Sequence, residues 1–220
     1  MYGLEKELWK ELFKMEKGKY IVFDGGEGCG KTTHASFVSE YLKSRGEKAE
    51  YTKEPGSVPS AEEIREIVLS KRHDLDSLTE VYLFQAARTE FFRQLVKPNL
   101  NKGISIISDR SMYSTEAYQG YAGGIDLELI RNLNNKSTFG IKPDLVFIID
   151  IDPVIGLEKE KEKNRMSQKG IEYHKKVNDS FKQIAKENPE NCIVIPYIPN
   201  GLEEMKELYL PRINKLFYTK

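Results

Sequence analysis

Between residues 25 and 33 the chain reads Gly25-Gly26-Glu27-Gly28-Cys29-Gly30-Lys31-Thr32-Thr33, which fits the spacing G-x-x-x-x-G-K-S/T. The glycines let successive backbone N–H groups curl round a phosphate, and a helix opening at Thr33 would add partial positive charge. Lys31 would reach the outer phosphates, and the Thr32 hydroxyl would hold Mg²⁺. The chemistry is that of a nucleoside triphosphate. Cys29 occupies an unconstrained place in the loop and is read as a small residue that fits, not as a redox group.

What happens to the phosphate is indicated further along. The stretch "ISIISDR" ends in Asp109-Arg110, a single acid joined to a cation. That pairing suits a kinase, with the acid near Mg²⁺ and the guanidinium on an acceptor phosphate. A GTPase would carry a base-reading N-K-x-D, whereas Asn135-Lys136-Ser137-Thr138 lacks the Asp; motor-type ATPases favour paired acids here. Three patches could receive an acceptor: "TKEPGS" with Glu54 and Pro55, "LFQAAR" with Phe84 and Arg88, and the run after Arg110 with Ser114, Thr115, Tyr118 and Gln119. Phe84 and Arg88 lie four apart, on one helical face. Stacking, phosphate pairing and base-edge hydrogen bonding are what a nucleoside monophosphate requires.

Positioning these groups needs a framework. Short apolar, β-branched runs at 20–24, 48–52, 104–108, 145–150 and 192–196 alternate with helix-period stretches near 31–46, 61–70, 77–96, 112–120, 126–134, 153–187 and 201–217. The alternation predicts a parallel sheet covered on both faces, whose carboxyl strand ends carry the ligand site. Residues 1–18 read as an amphipathic helical extension, with Leu4, Leu8, Leu12 and Met15 at helical spacing, and 19–220 as a single domain. Lys+Arg 34 balance Asp+Glu 34, so no global field draws nucleic acid or an anionic membrane. No apolar run is long enough to span a bilayer. The two cysteines, Cys29 and Cys192, show no metal or redox spacing, which fits a reducing, cytoplasmic setting.

With "FDGGEGCGKTT", "TKEPGS", "LFQAAR", "DRSMYSTEAYQG", "GIDLELIRNLN" and "KPDLVFIIDIDP" in order, the chain closely resembles the thymidylate kinase family over residues 19–217. The pattern D-R-x-x-x-S-x-x-A-Y-Q is far more specific than the phosphate loop. The resemblance implies an α/β, three-layer P-loop kinase fold: a five-stranded parallel sheet in the order 2-3-1-4-5, helices on both faces and a short lid. It implies phosphorylation of dTMP to dTDP with Mg·ATP, in dTTP synthesis, by a homodimer. At matching positions it places Phe84 on the thymine ring, Arg88 and Thr115 at the base edge, and Tyr118 against a 2′-hydroxyl. Arg110 falls on the acceptor phosphate, Asp109 near the metal and Glu27 near the acceptor's sugar. Lys53 stands where the family usually has Arg, and Ser111 where an aromatic or histidine often follows the D-R pair. These departures leave open a kinase for another nucleoside monophosphate or deoxynucleoside, or a catalytically weak nucleotide-binding paralogue.

The phosphate loop has no cation besides Lys31, so a lid at about 158–170 is expected to supply one. Its start, "EKEKEKNR", offers Lys159, Lys161, Lys163 and Arg165. Attractive i,i+3 and repulsive i,i+4 pairs roughly cancel there, so the alternation does not serve helix stability. Arg165 is taken as the catalytic lid cation.

Overall fold

The computed structural model describes residues 17–160 and 163–219. The expected helix over 1–18 falls almost wholly outside these residues, as does Lys161. Five strands, β1 (Tyr20–Gly25), β2 (Ala49–Lys53), β3 (Ser105–Asp109), β4 (Leu145–Asp150) and β5 (Cys192–Pro196), form one sheet in the order β2-β3-β1-β4-β5. Every neighbouring pair is parallel, with Phe23 beside Asp109 and Phe147. Each strand lies within one residue of the apolar run that announces it.

Period-two alternation sends successive side chains to opposite faces. Tyr20, Val22, Ile106, Val146 and Ile148 pack on one side with Phe91, Phe92, Phe181 and Ile184. Ile21, Phe23, Ile107, Phe147 and Ile149 pack on the other with Val38, Leu42, Tyr209 and Ile213. Both faces are apolar because both are covered. Around the sheet lie α1 (Lys31–Ser44), α2 (Pro59–Leu69), α3 (Ser77–Phe91), α4 (Lys97–Asn101), α5 (Met112–Thr115), α6 (Leu127–Ser137), α7 (Pro153–Lys159), α8 (Ile171–Glu187) and α9 (Leu202–Tyr218).

Two local departures from the sequence expectation matter for the site. The helix expected over 112–120 is α5 followed by a π-helical turn, Glu116–Tyr121. The wider turn brings the consecutive residues Tyr118 and Gln119 to one cleft. The continuous helical pattern over 153–187 is in fact two helices. Glu160 is extended at the end of α7, the Asn164 carboxamide accepts from the Met166 and Ser167 N–H groups to form a turn, and Gly170 opens α8 with φ 75°.

Candidate active site

The strand β1 delivers the chain into the glycine loop, and α1 begins at Lys31 behind Gly30, whose φ is 91° and which offers no side-chain cap. The first N–H groups of α1 are therefore left for a ligand. Lys31 Nζ rests on the Gly26 carbonyl at 2.8 Å. Gly28 and Gly156 of α7 abut backbone to backbone: a Cβ on Gly28 would run into the Gly156 carbonyl, and one on Gly156 into that of Glu27. Cys29 is buried in the core beside Ile149, and burial raises its thiol pKa, as suits a packing residue.

A cleft of about 640 Å³ opens at the carboxyl ends of β1, β2 and β3. Of the loop residues, Glu27, Gly28, Gly30, Lys31, Thr32 and Thr33 line it, while Gly25, Gly26 and Cys29 do not. The Thr32 hydroxyl donates to Asp109 Oδ2, and Asp109 Oδ1 is buried without a partner among the described residues. Hard oxygens with one lone-pair set unused fit a magnesium ion.

Arg110 leaves β3 with φ 76°, a conformation that a non-glycine residue adopts only when its surroundings impose it. Its N–H bonds the Phe23 carbonyl at 2.9 Å, and its Nη2 donates to Glu27 Oε2 at 2.8 Å. Glu27 Oε1 accepts from the Tyr118 hydroxyl at 2.9 Å. Burial alone would raise the Glu27 pKa, but Arg110 and Lys31 outweigh it and hold it down to about 2. Behind this pair Asp24 accepts from the Ser111 N–H and hydroxyl and from Ser114, tying the turn after β3 to β1. Ser111 thus has a structural reason to be a hydroxyl residue: it also caps α5 by accepting from the Tyr113 N–H.

The acceptor-side residues converge as their spacing suggested. Glu54, Pro55, Phe84, Arg88, Ser114, Thr115, Tyr118 and Gln119 all line the cleft. Phe84 is half-buried and belongs to neither core cluster, so it is a cleft residue. Arg88 is held from behind: Nε donates to Glu54 Oε2 at 2.6 Å, Nη1 to Asn134 at 3.0 Å and Nη2 to Thr115 at 3.2 Å. Both partners of the Arg88–Glu54 pair are 3% exposed.

Arg65 of α2 was not anticipated. It lines the cleft near Arg110, and burial, then Arg110, lowers its pKa. Two cations side by side make a strong anion site. The signal was present: Ala61, Arg65 and Val68 share a helical stripe whose apolar members are fully buried, so the arginine faces inward. Lys53, by contrast, sits half-exposed at the rim, 3.3 Å from Glu62.

The end of α7 contributes Lys159 to the wall, and the segment between α7 and α8 contributes Glu160, Asn164 and Met166. Arg165 is the exception among the predicted catalytic residues, because it is not part of the wall. Its Nε and Nη2 donate to the Val68 carbonyl at the end of α2, and Nη1 to Glu80 at 2.6 Å. The guanidinium is thereby directed into α2 and α3. An isolated charge run carried no information about a partner so distant in sequence.

The chain is similar to known proteins over most of its length. Residues 23–208 match the family model described as Thymidylate kinase. The chain is 38% identical over 199 residues to the thymidylate kinase of Francisella tularensis subsp. novicida (strain U112), covering 88% of this chain and 95% of that one. It is 41% identical over 194 residues to the thymidylate kinase of Sulfurihydrogenibium sp. (strain YO3AOP1), covering 87% and 93%. The crystal structure of thymidylate kinase from Ehrlichia chaffeensis superposes with a TM-score of 0.74 at 35% identity, over 91% of this chain and 98% of that one. With a family model matched over residues 23–208 and relatives 38–41% identical over most of its length, the chain belongs to the thymidylate kinase family.

Proposed function

We propose that this cleft binds ATP and dTMP end to end and transfers the γ-phosphoryl group, yielding ADP and dTDP. The observation that carries the reading is the meeting, in one cleft, of the uncapped start of α1 with Lys31 and the Arg110–Arg65 pair. Phe84 stands on the acceptor side. An oxygen of the dTMP phosphate bonds to the γ-phosphorus as the bond to the ADP oxygen breaks, and that electron pair leaves with ADP. The protein's work is positioning and charge neutralisation.

Lys31 steadies the outer phosphates of ATP, and the α1 N–H groups cradle them. Arg110 and Arg65 grip the acceptor phosphate; Glu27 and Tyr118 fix Arg110 and bound the sugar. Phe84 stacks on the base, with Arg88 and Thr115 at its edge. Thr32 and Asp109 would hold Mg²⁺, which when bound neutralises charge on the phosphates. The segment at about 158–170 is assigned as the lid, and its Lys159, at the end of α7, is on the cleft wall. The family likeness supports a homodimer, and two free buried cysteines support a cytoplasmic setting. Among the described residues, no helix is long and apolar enough to cross a membrane.

Initial rates of ADP formation with a panel of monophosphates test the substrate. dTMP should be fastest, dUMP slower, and dGMP, CMP and UMP much slower. Equal rates across the panel would overturn the reading.

A further inference from the structure

Three side chains outside the transfer chemistry converge on one carboxylate. Glu80, in the first turn of α3, is 0% exposed. Its Oε1 accepts from Arg165 Nη1 at 2.6 Å and from Lys169 Nζ at 2.7 Å; its Oε2 accepts from Gln119 Nε2 at 2.8 Å. Arg165 and Lys169 belong to the lid segment, whereas Gln119 lines the acceptor side of the cleft. The helix that holds Glu80 also carries Phe84 and Arg88, one and two turns further on.

We propose that Glu80 is a positioning residue that couples lid docking to the acceptor wall, with Arg165 and Lys169 as its lid-side partners. The proposal rests on the assignment of the Gln119 side of the cleft to dTMP. Arg165 is fully occupied in this role. Its Nε, Nη1 and Nη2 all end on protein oxygens, and its own N–H bonds the Leu69 carbonyl at 3.3 Å. A cation at the end of α2 also meets the negative end of that helix dipole. Met166, next in sequence, is 4% exposed and lines the cleft, with its sulfur 3.9 Å from Gln119 Nε2. Docking Arg165 therefore seats Met166 against Gln119, and whatever orders Gln119 also orders the lid.

Glu80 is the common member. Removing one cation leaves the carboxylate with another, but removing the carboxylate leaves two cations facing each other and Gln119 without its acceptor. Coupling between two ligands is reciprocal, so a lid that senses dTMP must let dTMP tighten the donor.

The test is calorimetry with a non-hydrolysable ATP analogue, with and without dTMP, alongside steady-state kinetics. In the wild type dTMP should tighten the analogue about fivefold or more. In Glu80→Gln that ratio should fall towards one, and kcat should fall at least about tenfold with a smaller change in KM for dTMP. Gln119→Leu should lose the same coupling, and the double variant should lose no more than Glu80→Gln alone. If Glu80→Gln fails to fold, Lys169→Met serves, because it leaves Arg165 on Glu80 and should halve or further reduce the ratio. An unchanged ratio in the folded variants, or Arg165→Met losing kcat with coupling intact, would overturn the proposal. Phe84→Ala with unaltered dTMP affinity would instead count against the acceptor assignment on which it rests.

Discussion

Two buried glutamates flank the cleft, and their surroundings are built alike. Glu27, in the phosphate loop, holds Arg110 and Tyr118; Glu80, in α3, holds Arg165 and Gln119. Tyr118 and Gln119 are neighbours in sequence, so one π-helical turn serves both centres. The difference lies in where each arginine goes next. Arg110 lines the cleft, whereas Arg165 donates to the end of α2. An acid–arginine pair is thus not a functional signature in itself: the same interaction holds a cleft residue in one place and fastens a segment in another.

In a third pair, Arg88–Glu54, both partners are buried. Arg88→Met should leave Glu54 buried and unpaired, destabilising the protein by about 3–5 kcal/mol. Thermal melting should show a midpoint lowered by roughly 10 °C. A midpoint within a degree of wild type would mean that the pair contributes far less than its burial suggests.

The contrast between the glutamate centres breaks or holds on Arg110. Arg110→Ala should lower kcat about 10²–10³-fold, the loss of one charge-stabilising donor. Arg110→Lys should restore only part, because an ammonium cannot contact Glu27 and a phosphate as a planar fork does. Steady-state kinetics that found the lysine variant equal to wild type would remove the geometric argument.

The smallest of the three effects concerns acid stability. The folded Glu27 pKa, about 2, lies below the ordinary 4.5. The stabilisation is therefore fully present above pH 4.5 and is lost as pH falls towards 2, about 3 kcal/mol over that interval. Urea unfolding of wild type and Glu27→Gln between pH 6 and pH 2 should give a gap that closes with acidity. A gap independent of pH would separate Glu27 from the titration assigned to it.

Which parts of this were legible in the sequence follows from how each is built. The phosphate loop is one contiguous stretch after an apolar strand, so its residues and spacing are read together. Arg110 and the Tyr118–Gln119 pair follow β3 closely, and strand ends are where such sheets bind. Arg65 is readable from its place on the buried stripe of α2, beside Ala61 and Val68. Glu80 gave no warning, because its partners lie 39, 85 and 89 residues away. The break between α7 and α8 was masked by charge alternation that keeps a helical period, although Asn164 and Gly170 both supplied turn chemistry. Period alone does not distinguish a π-turn from an α-turn, so the geometry that turns Tyr118 and Gln119 inward is not written in the pattern.

The seam between Gly28 and Gly156 bears on how the molecule can bend. Contact between two backbones has no side chain to yield by changing rotamer, so the phosphate loop and α7 travel as one piece. A closing movement of the proposed lid would then pivot beyond Lys159, where Glu160 is extended, and at Gly170, whose φ is 75°. Two missing methyl groups would thus set where such a lid bends.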